Sequence, residues 1–381
     1  MIDRPQIERE VRRAIRNNPV TAIFGPRQCG KTTLARRIAD SPKAEYFDLE
    51  DPASVRRLAE PFSSLSHLRG LIVIDEIQRR QELFPVLRVL ADRRPLLARF
   101  LVLGSASPEL LRQGSETLAG RIAFVEMGGF ELVEVGIEAQ RKLWLRGGFP
   151  RAYLSRSDRD SFTWHENFIR SFLERDVGEF GLRTPPSALR RLLSMIAHYH
   201  GQIWNSSEIS RSLGESHTTV KRHLDFLTSA LIVRQLQPWH ENLGKRQVKS
   251  PKVYFRDTGV LHSLLGISTF RELEGHPKLG ASWEGLVVES VARHAGEHNV
   301  SFWATHSGGE LDMLVQGRGK RFGVEVKYAD APGMTKSMRI AIGDLRLDRL
   351  FVVYPGSEPY ELEQNVTVLP FSELGSRVWF K

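Results

Sequence analysis

The segment Gly25-Pro26-Arg27-Gln28-Cys29-Gly30-Lys31-Thr32 constrains this chain more than any other part of it. It fits the pattern G-x-x-x-x-G-K-[ST]. The short apolar run Val20-Thr21-Ala22-Ile23-Phe24 precedes it and a helical pattern begins near Thr33, so the order is buried strand, glycine turn, helix. In that setting glycines let successive backbone N–H groups turn toward one point, and the helix N-terminus adds partial positive charge there. The arrangement suits a phosphate. Lys31 would reach the outer phosphates of a nucleotide and Thr32 would ligate Mg2+. The expected nucleotide-binding set is Gly25, Pro26, Arg27, Gln28, Cys29, Gly30, Lys31, Thr32 and Thr33.

A second run, Leu71-Ile72-Val73-Ile74-Asp75-Glu76, offers a central apolar strand with two carboxylates at its C-terminal end, the edge at which such sheets bind ligands. Asp75 would hold Mg2+, directly or through water. Glu76 would polarise the water that attacks the γ-phosphate, which favours ATP hydrolysis over transfer to another acceptor. A third strand, Phe100-Leu101-Val102-Leu103, ends in Gly104-Ser105-Ala106-Ser107, where Ser105 or a neighbouring hydroxyl senses the γ-phosphate or belongs to an ordinary polar turn. Arg121, in Leu118-Ala119-Gly120-Arg121, is a candidate for the arginine that stabilises transition-state charge, in cis or across a subunit interface, and equally for a surface salt bridge. Cys29, near a helix N-terminus and Lys31, sits where a thiolate is favoured; a small residue that merely fits the loop is the plainer account.

The chain has 381 residues, enough for two or three domains. Its 41% hydrophobic and 26% charged residues exclude wholesale disorder and a collagen-like repeat. A formal net charge of +9 admits nucleic acid, anionic lipid or nucleotide as a partner and selects none of them. The lone cysteine excludes an intramolecular disulfide, which points to a reducing compartment. The N-terminal stretch lacks an apolar signal core and no segment reaches the ~20 apolar residues of a membrane helix, so a cytoplasmic protein with no membrane partner is expected. Strands alternating with helices predict an α/β unit with a parallel sheet covered on both faces.

Within residues 203–214 a serine N-cap is expected to open a short helix that stops at Gly214, and a second follows from Ser216-His217-Thr218-Thr219-Val220-Lys221-Arg222-His223-Leu224. Two helices joined by a glycine-containing turn and followed by an apolar strand over 230–236 form the pattern of a winged helix. Thr218, Thr219, Lys221, Arg222 and His223 are expected near the exposed face of the second helix, where they would reach the phosphates or base edges of DNA. A protein-docking module with a merely solvated basic face fits the same residues, and Glu208, Glu215 and Asp225 dilute the charge. Lys245, Arg246, Lys249 and Lys252, beside Trp239 and His240, form a second basic cluster that reads as phosphate contact or as solvated loop.

Further on, Glu310-Leu311-Asp312 faces Gly323-Val324-Glu325-Val326-Lys327 across a turn over 316–320. On a hairpin Glu325 and Lys327 share one face, with Asp312 able to lie beside them. Two carboxylates and a lysine suit Mg2+-assisted phosphodiester hydrolysis, with Lys327 orienting the nucleophile and Glu284 or Glu289 completing the metal shell. The spacing resembles the Asp…Glu-x-Lys motif of restriction-endonuclease-like nucleases. A structural remnant of that fold, with charges that merely pair, accounts for the same residues.

With these residues in hand, the chain resembles the prokaryotic AAA-type ATPases that carry a C-terminal domain of unknown function, itself a winged helix joined to a nuclease-like α/β unit. The resemblance runs through residues 25–32, 71–78, 103–107, 118–121, 147–150, 172–177, 251–259, 283–289, 308–312 and 324–327. It implies an α/β fold with an AAA-like P-loop NTPase parallel sheet, then a helical and winged-helix region, then a restriction-endonuclease-like α/β unit. The expected divisions are a P-loop ATPase domain over 1–135, a helical connector over 136–188, a winged-helix domain over 189–265 and a nuclease-like domain over 270–381. It implies ATP binding by Lys31 and Thr32 and hydrolytic roles for Asp75 and Glu76. It also draws attention to Arg175, in Leu173-Glu174-Arg175-Asp176, as another candidate arginine finger. ATP and Mg2+ are the expected cofactors, DNA is the expected partner, and a homo-oligomer is compatible with the pattern. An ATP-gated DNA nuclease and a nucleotide-switched docking scaffold are the alternatives.

Overall fold

The computed structural model describes residues 2–40, 44–105, 114–179, 182, 184–240, 247–306 and 308–374. The chain forms two compact units, one built on Met1–Phe130 and the other on Glu131–Gly178, Leu182–Thr228 and Ile232–Lys381.

In the first unit β1 (Val20–Gly25), β2 (Glu45–Asp48), β3 (Gly70–Asp75), β4 (Ala98–Ser105) and β5 (Ile122–Glu126) form a five-stranded sheet in the order β2-β3-β4-β1-β5. Every neighbouring pair is parallel. The three apolar runs of the sequence are its three central strands. Ile23, Ile72, Val73, Ile74, Leu101 and Leu103 are all fully buried, which requires cover on both faces and makes these strands read as continuous apolar runs. Ile72, Ile74, Phe100 and Val102 pack in one cluster with Leu83, Leu87 and Leu90 of the helix Leu83–Ala91. The edge strands β2 and β5 are mostly half-buried and mixed in sequence, EYFD and IAFVE, so no apolar run marks them.

Because the strands are parallel, their C-terminal ends share one edge of the sheet. β4 lies between β1 and β3, and the register sets Gly25 beside Ser105 and Asp48 beside Asp75. The helix Lys31–Ile38 starts earlier than the sequence suggested, because Gly30 at φ 102° serves as a left-handed N-cap.

The second unit opens with the short helix Leu132–Val135, and the helices Gln140–Arg146, Pro150–Tyr153, Asp158–Ser171 and Pro186–His198 follow. Gly147 takes φ +68°, and a Cβ there would lie 2.2 Å from Asp257 Oδ1. The adjoining Gly148 N–H donates to Asp257 Oδ2 at 2.7 Å, while Asp257 caps the helix Thr258–Leu265 through the Val260 N–H at 3.0 Å. The glycine pair is thus a packing junction.

Next come β6 (Gln202–Ile203), β7 (Val233–Leu236) and β8 (Lys252–Phe255), an antiparallel sheet ordered β6-β8-β7, with the helices Ser206–Leu213 and His217–Ser229 between β6 and β7. The apolar run 230–236 is only partly a strand. Leu231 takes φ 58° and the Ile232 N–H donates to the Leu227 carbonyl, so its first residues close the preceding helix.

A six-stranded mixed sheet ends the unit: β9 (Val300–Ala304), β10 (Glu310–Gly317), β11 (Lys320–Val326), β12 (Arg349–Tyr354), β13 (Tyr360–Glu363) and β14 (Val366–Pro370), ordered β13-β14-β12-β11-β10-β9. β10 and β11 are the expected hairpin, turning at Arg318 and Gly319 with φ 49° and 77°, the two positive angles that a twisted two-residue turn requires. The helices Leu279–Ala295 and Lys336–Leu345 accompany it. No helix among the described residues is long and apolar enough to cross a membrane.

Candidate functional site

The loop ending β1 is shaped by Gln28 and Gly30, whose positive φ angles of 63° and 102° wind the backbone into an anion-receiving turn. Gly25 is needed for space, since a Cβ there would lie 2.0 Å from the Met127 carbonyl oxygen. The buried Lys31 ammonium donates to the carbonyls of Gly25 at 3.0 Å and Pro26 at 2.9 Å, which keeps the cation inside the loop. Thr32 Oγ1 donates to Asp75 Oδ2 at 2.8 Å and so joins the loop to the end of β3. A hydroxyl and a carboxylate side by side are hard oxygen donors of the kind Mg2+ takes, and these residues fit that ion.

Asp75 is held from two further directions. Tyr46 Oη donates to the same Oδ2 at 2.6 Å, and the Glu76 N–H donates to Oδ1 at 3.0 Å. Burial first, and then the bond to Asp75, push the Tyr46 phenol far above its usual range, so it remains a donor. Glu76 follows at φ 57°, a left-handed conformation uncommon for a side chain of this kind, at the start of the 3-10 turn Ile77–Arg79. Gln78 Nε2 donates to Glu76 Oε2. Burial raises the Glu76 carboxyl above its ordinary pKa against the opposing charge of Lys31. Lys31, Thr32, Asp75 and Glu76 are therefore brought together at one sheet edge.

Ser105 is buried at the end of β4, and its hydroxyl finds no partner among the described residues. Ser107 lies outside them. Cys29 is fully buried and its thiol donates to the Met127 carbonyl at 3.3 Å, the geometry of a small packed residue. No motif marks Arg4, yet its guanidinium donates to the carbonyls of Cys29 at 3.3 Å, Gly128 at 3.0 Å and Gly129 at 2.9 Å, clamping the loop from behind.

Arg121 is not brought to this edge. It precedes β5 at the opposite end of the sheet, and its guanidinium is paired with Asp92 at 2.6 and 2.9 Å. The length of β1 alone, roughly 17 Å, separates that end from the phosphate loop, so a role in cis is corrected to a salt bridge. Arg175 belongs to the second unit, exposed in the π-helical segment Phe172–Asp176.

In the helix pair the residue that caps Ser206–Leu213 is Asn205 and not the expected serine, because its Oδ1 accepts the Glu208 N–H at 3.3 Å; Gly214 at φ 68° ends that helix, and Ser216 Oγ accepts the Thr219 N–H at 3.1 Å to start the next one. The Thr218 and Thr219 hydroxyls are both bonded to Ser216 Oγ, at 2.9 and 2.8 Å. Lys221 and Arg222 are exposed. His223 is not: it shares the inner face with Val220, Leu224 and Leu227 and meets the Thr184 hydroxyl at 2.9 Å. Lys245 and Arg246 lie outside the described residues.

The carboxylates of the C-terminal sheet do converge. Asp312 Oδ2 accepts the Val326 N–H at 2.9 Å, and Lys327 Nζ donates to Glu325 Oε1 at 2.8 Å. Glu284, on the helix Leu279–Ala295, accepts the Tyr254 hydroxyl at 2.5 Å. Burial first and Asp312 second push both Glu284 and Glu325 up to about 7. Lys252, expected on a basic surface, is instead buried here, 2.6 Å from Glu310, 3.4 Å from Glu284 and 3.5 Å from Asp312. Glu289 is elsewhere. Five positions on from Glu284 it points about 140° around the helix, where Arg234, Arg256 and Arg293 bind it at 2.7, 3.0 and 2.8 Å. Among the described residues, no three His, Cys, Asp or Glu side chains are disposed to hold a metal ion. The space beside these carboxylates holds the Lys252 ammonium.

Residues 17–136 match the family model described as an AAA domain, residues 137–271 a Domain of unknown function (DUF8612), and residues 279–374 a Domain of unknown function (DUF4143). The chain is 48% identical over 374 residues to "Uncharacterized protein Rv2008c" of Mycobacterium tuberculosis and to "Uncharacterized protein Mb2031c" of Mycobacterium bovis, covering 98% of this chain and 85% of each relative. Among solved structures, the Walker-type ATPase paby2304 of Pyrococcus abyssi superposes with a TM-score of 0.51 at 16% identity, over 70% of this chain and 96% of that one. That likeness is one of fold.

Proposed function

The chain belongs to the AAA-type P-loop ATPases that carry C-terminal domains of unknown function, nucleotide-binding hydrolases, and on that premise we propose that it is an Mg2+-dependent ATPase whose cycle drives a DNA-facing C-terminal module. The observation that carries the reading is the bond between Thr32 and Asp75, which joins the phosphate loop to the carboxylate strand with Lys31 and Glu76 alongside. Lys31 leaves the Gly25 and Pro26 carbonyls for the outer phosphates. Thr32 and Asp75 would hold Mg2+, which would offset phosphate charge. Glu76, kept basic enough by its burial, takes the proton of the attacking water. Ser105, at the end of the strand between the two motifs, answers to the γ-phosphate. Arg175 is kept as the candidate arginine finger that the family resemblance implies. Arg121, paired with Asp92, would serve only another subunit's site in a homo-oligomer.

The DNA-facing part of the proposal rests on the helix pair Ser206–Leu213 and His217–Ser229 followed by the antiparallel β7–β8 pair, a winged-helix arrangement with Lys221 and Arg222 on its exposed side. Thr218 and Thr219 stand at the start of that second helix. A docking scaffold is favoured by one observation, the exposed Glu215 and Asp225 beside the basic pair. The nuclease alternative is the weaker one, because Lys252 sits among its carboxylates.

The deciding experiment is the ATPase rate with and without single-stranded, duplex and branched DNA, with strand cleavage scored in the same samples. Stimulation by one DNA form without cleavage is expected, and Lys31→Ala should abolish ATP binding. Salt-independent, DNA-independent turnover would favour the scaffold.

A further inference from the structure

The carboxylates at the open end of the β10–β11 hairpin surround a cation that the chain itself supplies. Lys252 lies on β8 and is only 3% exposed, a depth at which an ammonium is tolerated when it is fully paired. An ammonium has three N–H donors and no acceptor. Here three different carboxylates receive it: Glu310 Oε1 at 2.6 Å, Glu284 Oε1 at 3.4 Å and Asp312 Oδ1 at 3.5 Å. The ring of Phe302, 5.7 Å away, borders the same space. Other lone pairs of these groups are also engaged. Asp312 Oδ2 accepts the Val326 N–H, Glu284 Oε1 accepts the Tyr254 hydroxyl, and Glu325 Oε1 accepts Lys327 Nζ.

A divalent ion would need several of these oxygens around one centre at roughly 2.0–2.6 Å. The Lys252 ammonium stands between Glu310, Glu284 and Asp312, while Glu325 faces Lys327 and keeps its Oε2 buried with no hydrogen-bond partner among the described residues. We infer that Lys252 is the resident cation of this cluster and takes the place of the divalent metal that the Asp312, Glu325 and Lys327 spacing suggests, so that the C-terminal sheet holds a lysine-filled ion-pair core and binds no metal while Lys252 remains in it. Lys252 and Asp312 are 60 positions apart, on strands of two different sheets, so the same contact fastens the β6-β8-β7 sheet to the six-stranded one. The inference concerns the second unit alone and does not depend on how the phosphate loop works.

The test is Mn2+ binding to the full-length, nucleotide-free protein, followed by electron paramagnetic resonance. Wild type and Asp312→Asn should take up the same Mn2+, because the site is already filled. Lys252→Ala should gain a Mn2+ site that the double variant Lys252→Ala/Asp312→Asn lacks. Should Lys252→Ala fail to fold, Lys252→Met keeps the length of the stem, and the comparison of wild type with Asp312→Asn decides independently. A wild-type Mn2+ site weakened tenfold or more by Asp312→Asn would overturn the inference. So would a folded Lys252 variant that gains no site, or metal-dependent DNA cleavage by the wild type that Asp312→Asn abolishes.

Discussion

Tyr46 and Thr32 donate their hydroxyls to one and the same atom, Asp75 Oδ2, at 2.6 and 2.8 Å. With Thr32 turned to a metal ion, Tyr46 would still hold Asp75 Oδ2 while the Glu76 N–H holds Oδ1. A net hydrogen bond contributes on the order of 1 kcal/mol, so Tyr46→Phe should raise the Mg2+ concentration for half-maximal ATPase by about fivefold. The expected change in kcat at saturating Mg2+ is small. A Mg2+ titration at saturating ATP reads this, and an unchanged midpoint removes Tyr46 from the site.

Glu76→Gln preserves shape and removes the proton acceptor. ATP affinity should stay within about twofold while turnover falls by on the order of 10²-fold or more. Equilibrium binding of a fluorescent ATP analogue, set against single-turnover hydrolysis, separates the two effects. Near wild-type turnover would assign the water to another group.

Reversing Lys221 and Arg222 to glutamate places acid on the exposed side of the helix His217–Ser229. DNA affinity should fall, and the slope of log K against log salt should shrink by about one for each lost phosphate contact. Fluorescence anisotropy over a salt series measures it. Unchanged binding would move the nucleic-acid surface to another face.

The pH dependence of stability follows from Glu284, whose folded carboxyl lies near 7 against an ordinary 4.5. A raised acid pKa means that the folded state binds more protons than the unfolded one between those values, so this group's contribution to stability is lost as pH rises through that window. Glu284→Gln does not titrate. Its stability relative to wild type should therefore climb between pH 5 and pH 8, by on the order of 3 kcal/mol. Denaturant melts of both proteins at each pH test the sign; a flat or falling difference contradicts it.

Gly147 and Gly214 share φ +68° but differ in surroundings, Gly147 crowded by the Asp257 carboxylate and Gly214 open. Gly214→Ala should cost about 1 kcal/mol from backbone strain alone. Gly147→Ala should cost roughly 2–4 kcal/mol, because the new methyl also displaces the Asp257 cap. Equal losses in thermal melts would show that the close approach is unimportant.

The phosphate loop and the strand ending in Asp75 and Glu76 are legible in sequence because their chemistry fixes residue types at short spacing. Tyr46 is not, because it reaches Asp75 by parallel pairing of β2 with β3, a contact 29 positions long on a strand with mixed polarity. Lys252 misleads for a related reason. Its neighbour Lys249 is exposed, and together they look like a solvated basic loop, whereas all of β8 is buried. His223 belongs inside because Val220, Leu224 and Leu227 fix the inner face of its helix, a periodicity that a search for basic residues overlooks. Arg121 shows the opposite error, a suggestive arginine whose strand delivers it to the far end of the sheet.

Cys29 is the chain's one sulfhydryl, and it is sealed in the wall of the phosphate loop. The native protein therefore carries its own reporter. A thiol reagent can mark it only during moments when that wall breathes, so labelling speed counts the openings of a single loop with no background from any other position. Ligand occupancy of the loop would register as a slower clock.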